Sequence, residues 1–281
     1  QMENFFFIVI RSGRGQKETG LEPIGKHWRH FMRIKGILFD KDGTLIDFFS
    51  LWLYAARRVI PEFIRGNDLE EKQNTTELEN VLYESIGIFS DQIDPNGALA
   101  YKSYREIAQD MERALERLGI RIETDQIETQ IRELFDQATH GEEAKMIPLG
   151  DLPELFQFLK KKNLYLGIAT ADTVSSAKKC MKQLGVLEYL DYIGGDDGKK
   201  RPKPYPDMLY DFAEKSGILP QQVMVAGDTR NDMVFAEQAK ATSVGVLSGV
   251  SKERDLASYA DYIVPSVEQI PALLDSLEGA K

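Results

Sequence analysis

The chain has 281 residues, of which 42% are hydrophobic and 28% are charged, and its formal net charge is -10. This length suits one large domain or two modest ones and supplies enough apolar residues for a sizeable core. The negative charge argues against a general nucleic-acid binder, because such a protein presents a strongly basic face. A small anionic substrate is compatible with it, since a binding site needs only local positive charge.

The cysteine and histidine content argues against two further kinds of site. Cys180 is the only cysteine, so no intramolecular disulfide can form, and a reducing cytoplasm is the expected compartment. The three histidines form no His/Cys pattern of the kind that structural zinc sites use. The apolar run at residues 5–10 is too short to span a bilayer and lacks the basic flank of a secretory signal. We therefore expect no membrane partner.

Regular apolar patterns begin near residue 33, so residues 1–32 are an N-terminal extension of unknown role. Beyond it, short apolar runs alternate with amphipathic stretches. The apolar runs predict strands at 34–39, 164–170, 222–228, 242–248 and 261–264. The amphipathic stretches predict helices at 151–162, 174–185, 231–241 and 266–277. This alternation is typical of an α/β fold with a doubly wound, mostly parallel sheet covered on both faces.

One region interrupts the alternation. Residues 48–145 contain no clear strand, and they show helical patterns at 48–66, 75–88, 98–120 and 124–141. We expect this segment to be an inserted, all-helical domain. The α/β core is then built from residues 33–47 and 146–281.

Acidic side chains follow two of the predicted strands. Asp40 and Asp42 follow the first strand, and Asp228 and Asp232 follow the third. Ligands of doubly wound sheets bind outside the carboxyl ends of the strands, so we expect these carboxylates to share a crevice. Their mutual repulsion calls for compensating positive charge. Oxygen ligands without histidine or thiol favour Mg²⁺, and the basic loop at 199–203 can supply a lysine.

A crevice of this kind suits phosphoryl transfer. Charge spreads over the oxygens of the transferred group, so catalysis needs positioning, a metal and fixed donors. One carboxylate can act as the nucleophile and form an aspartyl-phosphate. A second carboxylate, two residues further on, can protonate the leaving oxygen and then deprotonate the incoming water.

These residues resemble the motifs of the haloacid dehalogenase (HAD) superfamily, in the branch with a helical cap between its first and second motifs. "FDKDGTLID" is similar to the first motif. By that resemblance Asp40 is the nucleophile, and Asp42 is the general acid/base whose backbone carbonyl also reaches Mg²⁺. "IATAD" is similar to the second motif, which makes Thr170 a donor to the phosphoryl group and Ala171 a neighbouring substrate contact.

The remaining two motifs complete the implied site. "KPYPD" matches the third motif and implies that Lys203 neutralises the nucleophile and the phosphoryl charge. "GDTRND" is similar to the fourth, with Asp228 as a metal ligand and Asp232 supporting either the metal or Lys203. The resemblance implies a HAD-like Rossmannoid core, in which residues 48–145 form the cap.

Several further residues are candidates for contact with the substrate or the metal. Lys41 stands between the two aspartates, where HAD members often carry a bulky apolar residue, and this position can face the pocket. Asp196 and Asp197 are candidates for the outer shell of the metal site. The cap offers four basic candidates for contact with a substrate anion: Arg57, Arg58, Lys102 and Arg105.

The resemblance implies a Mg²⁺-dependent phosphatase that acts on a small phosphorylated metabolite. It ranks phosphoglycolate-phosphatase-like members first, with sugar phosphates among the other substrates. A phosphomutase of the β-phosphoglucomutase type uses the same aspartates and is the nearest alternative. A non-catalytic, phospho-accepting signalling module is an alternative from another class. We expect a monomer or homodimer that binds neither nucleic acid nor membrane.

Overall fold

The computed structural model describes residues 9–10, 33–70, 74–90, 92–141 and 145–279. Strands in these ranges are β1 (Val9–Ile10), β2 (Gly36–Phe39), β3 (Ile88–Phe89), β4 (Gln92–Ile93), β5 (Tyr165–Thr173), β6 (Tyr192–Asp196), β7 (Val223–Gly227), β8 (Thr242–Val246) and β9 (Tyr262–Val264). Seven of them form one sheet in the order β1-β9-β8-β7-β2-β5-β6, while β3 pairs with β4. Neighbours in the large sheet are parallel except β1 and β9, which are antiparallel.

Strand β2 lies at the centre of the sheet, paired with β5 on one side and β7 on the other. Ile37 and Phe39 belong to one apolar cluster and Leu38 to another, so both faces of the strand are covered. This explains why β2 reads as a continuous apolar run. From β2 the chain goes outward to β5 and β6, and it then crosses back to β7. The carboxyl end of β2 is therefore the switch point at which ligands of such sheets bind.

The α-helices in the described ranges are α1 (Tyr54–Gly66), α2 (Thr75–Ser85), α3 (Ala98–Tyr101), α4 (Tyr104–Arg117), α5 (Thr124–His140), α6 (Leu152–Lys161), α7 (Val174–Gln183), α8 (Asp207–Ser216), α9 (Arg230–Gln238), α10 (Glu253–Leu256) and α11 (Ile270–Gly279). A π-helical turn, Phe49–Leu53, leads into α1. Across these described segments, no helix combines the length and apolar character that crossing a membrane requires.

Helices α1–α5 form a helical insertion, residues 48–140, between β2 and β5. These helices are amphipathic, with apolar residues recurring at helical spacing, and their apolar faces turn inward. Helix α4 begins with a capping box, in which Ser103 and Glu106 satisfy each other's backbone N–H groups. One apolar cluster runs without interruption from the insertion into the α/β part, where it includes Phe39 and Phe156.

The predicted strands are confirmed, with bounds that differ by a few residues. Strand β6 was not predicted, because its sequence "YIGGD" contains two glycines and no continuous apolar run. The insertion is helical apart from the short β3–β4 hairpin, which the sequence pattern did not indicate. Apart from β1, which adds an antiparallel edge strand, the N-terminal extension lies outside the described residues.

Candidate active site

The turn after β2 places two carboxyl groups at the switch point. The backbone N–H of Asp40 donates to the carbonyl of Ala226 on β7 over 2.8 Å, which continues the strand pairing as far as this residue. The chain then turns back tightly, since the N–H of Leu45 donates to the carbonyl of Lys41 over 2.9 Å. Gly43 has a φ of +83°, a conformation that side-chain-bearing residues rarely adopt. Asp40 and Asp42 therefore both reach the same pocket.

Lys203 joins two of the acidic residues. Its Nζ donates to Oδ1 of Asp40 over 2.6 Å and to Oδ1 of Asp232 over 2.6 Å. All three side chains are buried. The side-chain amide of Asn231 donates to the carbonyl of Lys203 over 3.1 Å and fixes the loop that carries the lysine. The basic residue expected from the 199–203 loop is thus Lys203.

Three carboxylates converge beside this lysine. Asp40, Asp228 and Asp232 each offer one oxygen, and these oxygens all lie within 4.8 Å of one another. Oδ2 of Asp228 accepts a 2.9 Å bond from the N–H of Val250, whereas its buried Oδ1 has no hydrogen-bond partner among the described residues. A buried carboxylate oxygen without a hydrogen-bond partner destabilises the folded state unless a cation compensates its charge. A hard divalent cation such as Mg²⁺ therefore fits this cluster.

Asp232 is held differently from the other two carboxylates. Its Oδ2 accepts bonds from the N–H of Thr229 over 3.0 Å and from its hydroxyl over 2.5 Å, as part of a capping box at the start of α9. Its Oδ1 is taken by Lys203. Because both oxygens of Asp232 are already hydrogen-bonded, its geometry suits the support of Lys203 better than direct metal ligation.

Two glycines let the backbone close around Asp228. A Cβ placed on Gly43 would lie 2.4 Å from Oδ2 of Asp228, and a Cβ on Gly249 would lie 2.0 Å from the same atom. The hydroxyl of Ser248 donates to the carbonyl of Gly43 over 2.9 Å and joins the two loops. Gly249 and Val250 were not singled out in the sequence; the signal available was the glycine in "LSGVS", directly after β8.

Asp42 is paired with its own neighbour. Nζ of Lys41 lies 2.9 Å from Oδ1 and 2.8 Å from Oδ2 of Asp42, and 3.1 Å from Oδ2 of Asp172. Lys41 is fully buried, and its Nζ lies 5.6 Å from the centroid of the Trp52 ring. The lysine side chain therefore lies behind the pocket wall rather than in it, contrary to the expectation that this position faces the pocket.

Thr170 and Ala171 line the pocket at the end of β5, as expected from the second motif. The Oγ1 atom of Thr170 accepts a 3.1 Å bond from the N–H of Asp172, which fixes the orientation of the hydroxyl. Oδ1 of Asp172 accepts a 2.7 Å bond from the N–H of Thr173.

The carboxyl groups of Asp40 and Asp228 in the site carry raised pKa values. Burial raises the pKa of Asp40 to about 7; Lys203 opposes this rise, and Asp232 and Asp42 add to it. Burial, together with Asp40 and Asp232, also raises the pKa of Asp228 well above its ordinary value. For Lys203, burial alone would lower the pKa, but Asp232 and Asp40 outweigh it and the pKa rises. The cluster therefore holds more negative charge than one lysine neutralises, which again favours a bound cation.

The helical insertion supplies the opposite wall of the pocket. Its contribution is mostly apolar and aromatic: Phe48, Trp52, Leu99, Ala100, Tyr101, Lys102, Tyr104 and Ile107. The cavity between the two parts has a volume of about 40 Å³. This is room for a few water molecules and not for a phosphomonoester. The pocket is therefore too narrow for such a substrate in this conformation.

Five of the predicted contacts lie elsewhere: Arg57, Arg58, Arg105, Asp196 and Asp197. Arg57 is exposed on α1 and lines a separate groove with Pro61 and Tyr83, because the pocket-facing side of this segment is formed by Phe48 and Trp52. Two other candidates are engaged outside the metal cluster: Asp196 pairs with Arg132 over 3.0 Å, and Asp197 pairs with Lys200 over 3.2 Å. Of the four basic candidates on the insertion, the described pocket wall contains Lys102 alone.

Comparison with known proteins identifies the family of the chain. The family model described as haloacid dehalogenase-like hydrolase matches residues 34–240. The chain therefore belongs to the haloacid dehalogenase-like hydrolases. It is 29% identical over 252 residues to a phosphoglycolate phosphatase of Shigella dysenteriae serotype 1, covering 86% of this chain and 94% of that protein. A phosphoglycolate phosphatase of Escherichia coli K12 is 32% identical over 149 residues, which are 51% of this chain and 58% of that protein.

Solved structures show the same fold. A predicted phosphoglycolate phosphatase from Haemophilus somnus 129PT has a TM-score of 0.62 at 17% identity, covering 85% of this chain and 97% of that one. A putative β-phosphoglucomutase from Thermotoga maritima has a TM-score of 0.58 at 20% identity, covering 86% of this chain and 99% of that one. With the family assignment, this chain is an enzyme, a HAD-type phosphatase. The alternative of a non-catalytic signalling module is thereby set aside.

Proposed function

We propose that the protein is a Mg²⁺-dependent phosphatase that hydrolyses a small phosphomonoester through an aspartyl-phosphate on Asp40. One observation carries the proposal: Lys203 bridges Asp40 and Asp232 at 2.6 Å each, and both carboxylates cluster with Asp228, whose buried Oδ1 has no hydrogen-bond partner among the described residues. A lysine and a cation site on either side of one carboxylate create the positive surroundings that a transferring phosphoryl group needs.

In the first step, an oxygen of Asp40 forms a bond to phosphorus while the bond from phosphorus to the leaving oxygen breaks. The leaving oxygen keeps the electron pair and takes a proton from Asp42. Lys203 stabilises charge on the phosphoryl oxygens, and the hydroxyl of Thr170 donates a hydrogen bond to one of them. Asp42, Thr170 and Lys203 all line the same pocket as Asp40.

In the second step, Asp42 removes a proton from a water molecule, and the water oxygen bonds to phosphorus. The bond between phosphorus and Asp40 breaks, which releases inorganic phosphate and restores the carboxylate. The carboxylates of Asp40 and Asp228 and the backbone carbonyl of Asp42 would hold Mg²⁺, which when bound would neutralise charge on the phosphoryl oxygens. Asp232 holds Lys203 in place through its Oδ1.

The helical insertion acts as a cap in this proposal. The cavity of about 40 Å³ is too small for a phosphomonoester, so the substrate enters only when the insertion moves away from the α/β part. Closure then excludes bulk water during the chemistry, and water enters the site only as the second substrate. We assign residues 48–145 to the cap and residues 33–47 with 146–281 to the catalytic core.

The substrate class follows from the one further cation on the pocket wall. Among the described residues that line the pocket, Lys102 and Lys203 are the basic ones, and Lys203 is engaged by the catalytic carboxylates. Nζ of Lys102 lies 2.7 Å from Oδ2 of Asp110, which is also on the helical insertion. A small substrate with a second anionic group, such as the carboxylate of phosphoglycolate, can pair with Lys102 while its phosphate lies at Asp40. The names of the two phosphoglycolate phosphatases support this ranking.

A panel of phosphorylated metabolites, assayed for phosphate release with Mg²⁺, tests the proposal. We expect phosphoglycolate among the best substrates and Asp40→Asn to abolish release. Lys102→Met is expected to raise KM for phosphoglycolate roughly tenfold or more, because a charge-assisted hydrogen bond is lost, and to change KM for a neutral alkyl phosphate little. Arg57→Met, which lies in the separate groove, serves as the control. Phosphoglycolate turnover no better than the median of the panel would contradict the ranking.

A phosphomutase is the second candidate, because its fold is shared with the β-phosphoglucomutase structure and its chemistry uses the same two aspartates. The difference lies in whether water or a substrate hydroxyl accepts the phosphoryl group from Asp40. Incubation with a hexose 1-phosphate distinguishes them. Isomerised sugar phosphate without free phosphate supports the mutase, and free phosphate supports the phosphatase.

A further inference from the structure

Lys41 is a fully buried lysine for which the phosphatase chemistry outlined above has no role. It does not line the pocket, so it cannot bind the substrate directly. A buried ammonium group is unfavourable unless charged partners surround it. The carboxylates of Asp42 and Asp172 lie 2.8 Å and 3.1 Å from its Nζ. Lys41 is therefore a buried ammonium group held inside the protein by two ion pairs.

The contact between Lys41 and Asp42 involves both carboxylate oxygens. Nζ of Lys41 lies 2.9 Å from one oxygen and 2.8 Å from the other. Oδ1 accepts a hydrogen bond from Nζ, and the ammonium charge also attracts Oδ2, so the carboxylate is kept turned toward the lysine. Asp42 has 13% of its side chain exposed, and the exposed part faces the pocket. The carboxylate thus lies between the lysine and the place where the leaving group departs.

Lys41 is itself held by residues far away in the sequence. Oδ2 of Asp172 lies 3.1 Å from Nζ, and the face of Trp52 lies on another side with its centroid at 5.6 Å. Oδ1 of Asp172 accepts a bond from the N–H of Thr173, so the anchoring carboxylate is fixed at the start of α7. The N–H of Asp172 donates to the Oγ1 atom of Thr170. One buried ion pair therefore connects the proton-transfer carboxylate to the hydroxyl that meets the phosphoryl group.

We propose that the Lys41–Asp172 ion pair is a positioning device that sets the orientation of Asp42 toward the leaving oxygen. The proposal rests on the phosphatase function, since it assigns a role only within that reaction. Proton transfer requires the acid within hydrogen-bond reach of the leaving oxygen, so a carboxylate that is free to turn loses efficiency. Lys41 and Asp172 are positioning residues, because they act through Asp42 and Thr170.

The test uses two substrates that differ in their need for the proton. p-Nitrophenolate leaves without protonation, whereas the alkoxide of a simple alkyl phosphate requires it. The value of kcat/KM reports the steps up to release of this leaving group, so the ratio between the two substrates isolates the contribution of Asp42. Asp42→Asn defines the ratio expected when the acid is absent. A purely structural role of the ion pair would lower both values equally.

The informative variant is Lys41→Met combined with Asp172→Asn, because removing the lysine alone leaves a buried carboxylate unpaired. We expect its kcat/KM for the alkyl phosphate to fall about tenfold more than that for p-nitrophenyl phosphate, in the direction set by Asp42→Asn. Asp172→Asn alone, which keeps Lys41 beside Asp42, provides the same readout with a smaller split if the double variant does not fold. Lys160→Met removes a lysine that pairs with Asp191 away from the pocket, and it should leave the ratio unchanged.

A folded double variant whose two kcat/KM values fall by the same factor, or do not fall, overturns the positioning role. The same result in folded Asp172→Asn overturns it when the double variant does not fold. Failure of the wild-type enzyme to hydrolyse either phosphomonoester with Mg²⁺ is a separate outcome, since it overturns the phosphatase proposal and the positioning role with it.

Discussion

Oδ2 of Asp228 lies so close to the backbone of Gly249 that a Cβ at position 249 would be only 2.0 Å away. No side chain fits there without displacement of the carboxylate. The N–H of the next residue, Val250, donates to the same oxygen over 2.9 Å. The loop after β8 therefore fixes the position of a carboxylate that comes from a different strand.

Gly249→Ala should displace Asp228 and weaken the cation site. We expect the affinity for Mg²⁺ to fall tenfold or more, because a shifted ligand loses its place in a geometry that Mg²⁺ restricts tightly. Calorimetric titration with Mg²⁺ measures the effect. Gly66→Ala is a matched control, since a Cβ there meets no atom within 4 Å. Unchanged Mg²⁺ affinity in folded Gly249→Ala would show that Asp228 is not a ligand.

Lys203→Met should remove most of the activity. It takes away the cation that Asp40 and Asp232 share, and Asp40 then lacks the positive neighbour that offsets phosphoryl charge. By analogy with the loss of a preorganised donor in other enzymes, we expect kcat to fall roughly 10²–10³-fold. Steady-state phosphate release measures this. Lys200→Met lies in the same loop and loses only partly exposed partners, so its kcat should stay near that of the wild type. Equal losses in both variants would refute a specific role for Lys203.

Stabilisation by Mg²⁺ should depend on pH. Without metal, Asp40 has a pKa of about 7 in the folded protein against an ordinary value of 3.8. Between these values the folded state binds more protons than the unfolded one, so the free energy of unfolding decreases as pH rises through this window. Mg²⁺ binds the deprotonated carboxylates and opposes that decrease.

The measurement is the shift in Tm between Mg²⁺ and chelator, taken at several pH values. We expect the shift to be close to zero at pH 5 and clearly positive at pH 8. The raised pKa of Lys203 does not enter, because its stabilising effect is fully present below the ordinary lysine value and is lost only above it. In Asp228→Asn, the shift in Tm between Mg²⁺ and chelator should not increase with pH. A Mg²⁺-dependent shift of the same size at pH 5 and pH 8 is incompatible with raised pKa values in the cluster.

The ion pair between Arg132 on α5 and Asp196 at the end of β6 links the helical insertion to the α/β part at 3.0 Å. Its removal by Asp196→Asn should favour the open arrangement of the insertion. Because the pair is partly exposed, we expect an effect of about 1 kcal/mol, seen as a several-fold rise in KM with little change in kcat. The rise should diminish at high ionic strength. Arg105→Met breaks ion pairs that stay within the insertion, and its KM should not change.

The convergence of Asp40, Asp228 and Lys203 was predictable from the sequence. Each residue follows a recognisable strand or lies in a loop between two strands, and parallel strands bring their carboxyl ends to one edge. Position along the chain therefore translates into position in space. The order of the strands in the sheet, with β2 at the centre, was not predicted and comes from the structure.

The directions in which individual side chains point were harder to predict from the sequence. Lys41 follows the nucleophile, yet it points into the protein because Asp172, more than a hundred residues away in the sequence, receives it there. Arg57 lies on α1, which directly follows the pocket residues Phe48 and Trp52, but the pattern of charges alone does not show which way its side chain points. Gly249 carries no functional group, so only the close approach of Asp228 shows its importance.

The apolar cluster that joins the helical insertion to the sheet also bears on how the molecule responds to heat. The cluster extends across the boundary, because Leu51 and Phe63 of the insertion and Phe39 of the sheet all belong to it. If either part unfolded alone, the apolar side chains with which the other part packs against it would be exposed to water. In a calorimeter the described parts should therefore lose their structure in a single transition, with equal calorimetric and van't Hoff enthalpies, and no species with intact sheet and molten helices should accumulate.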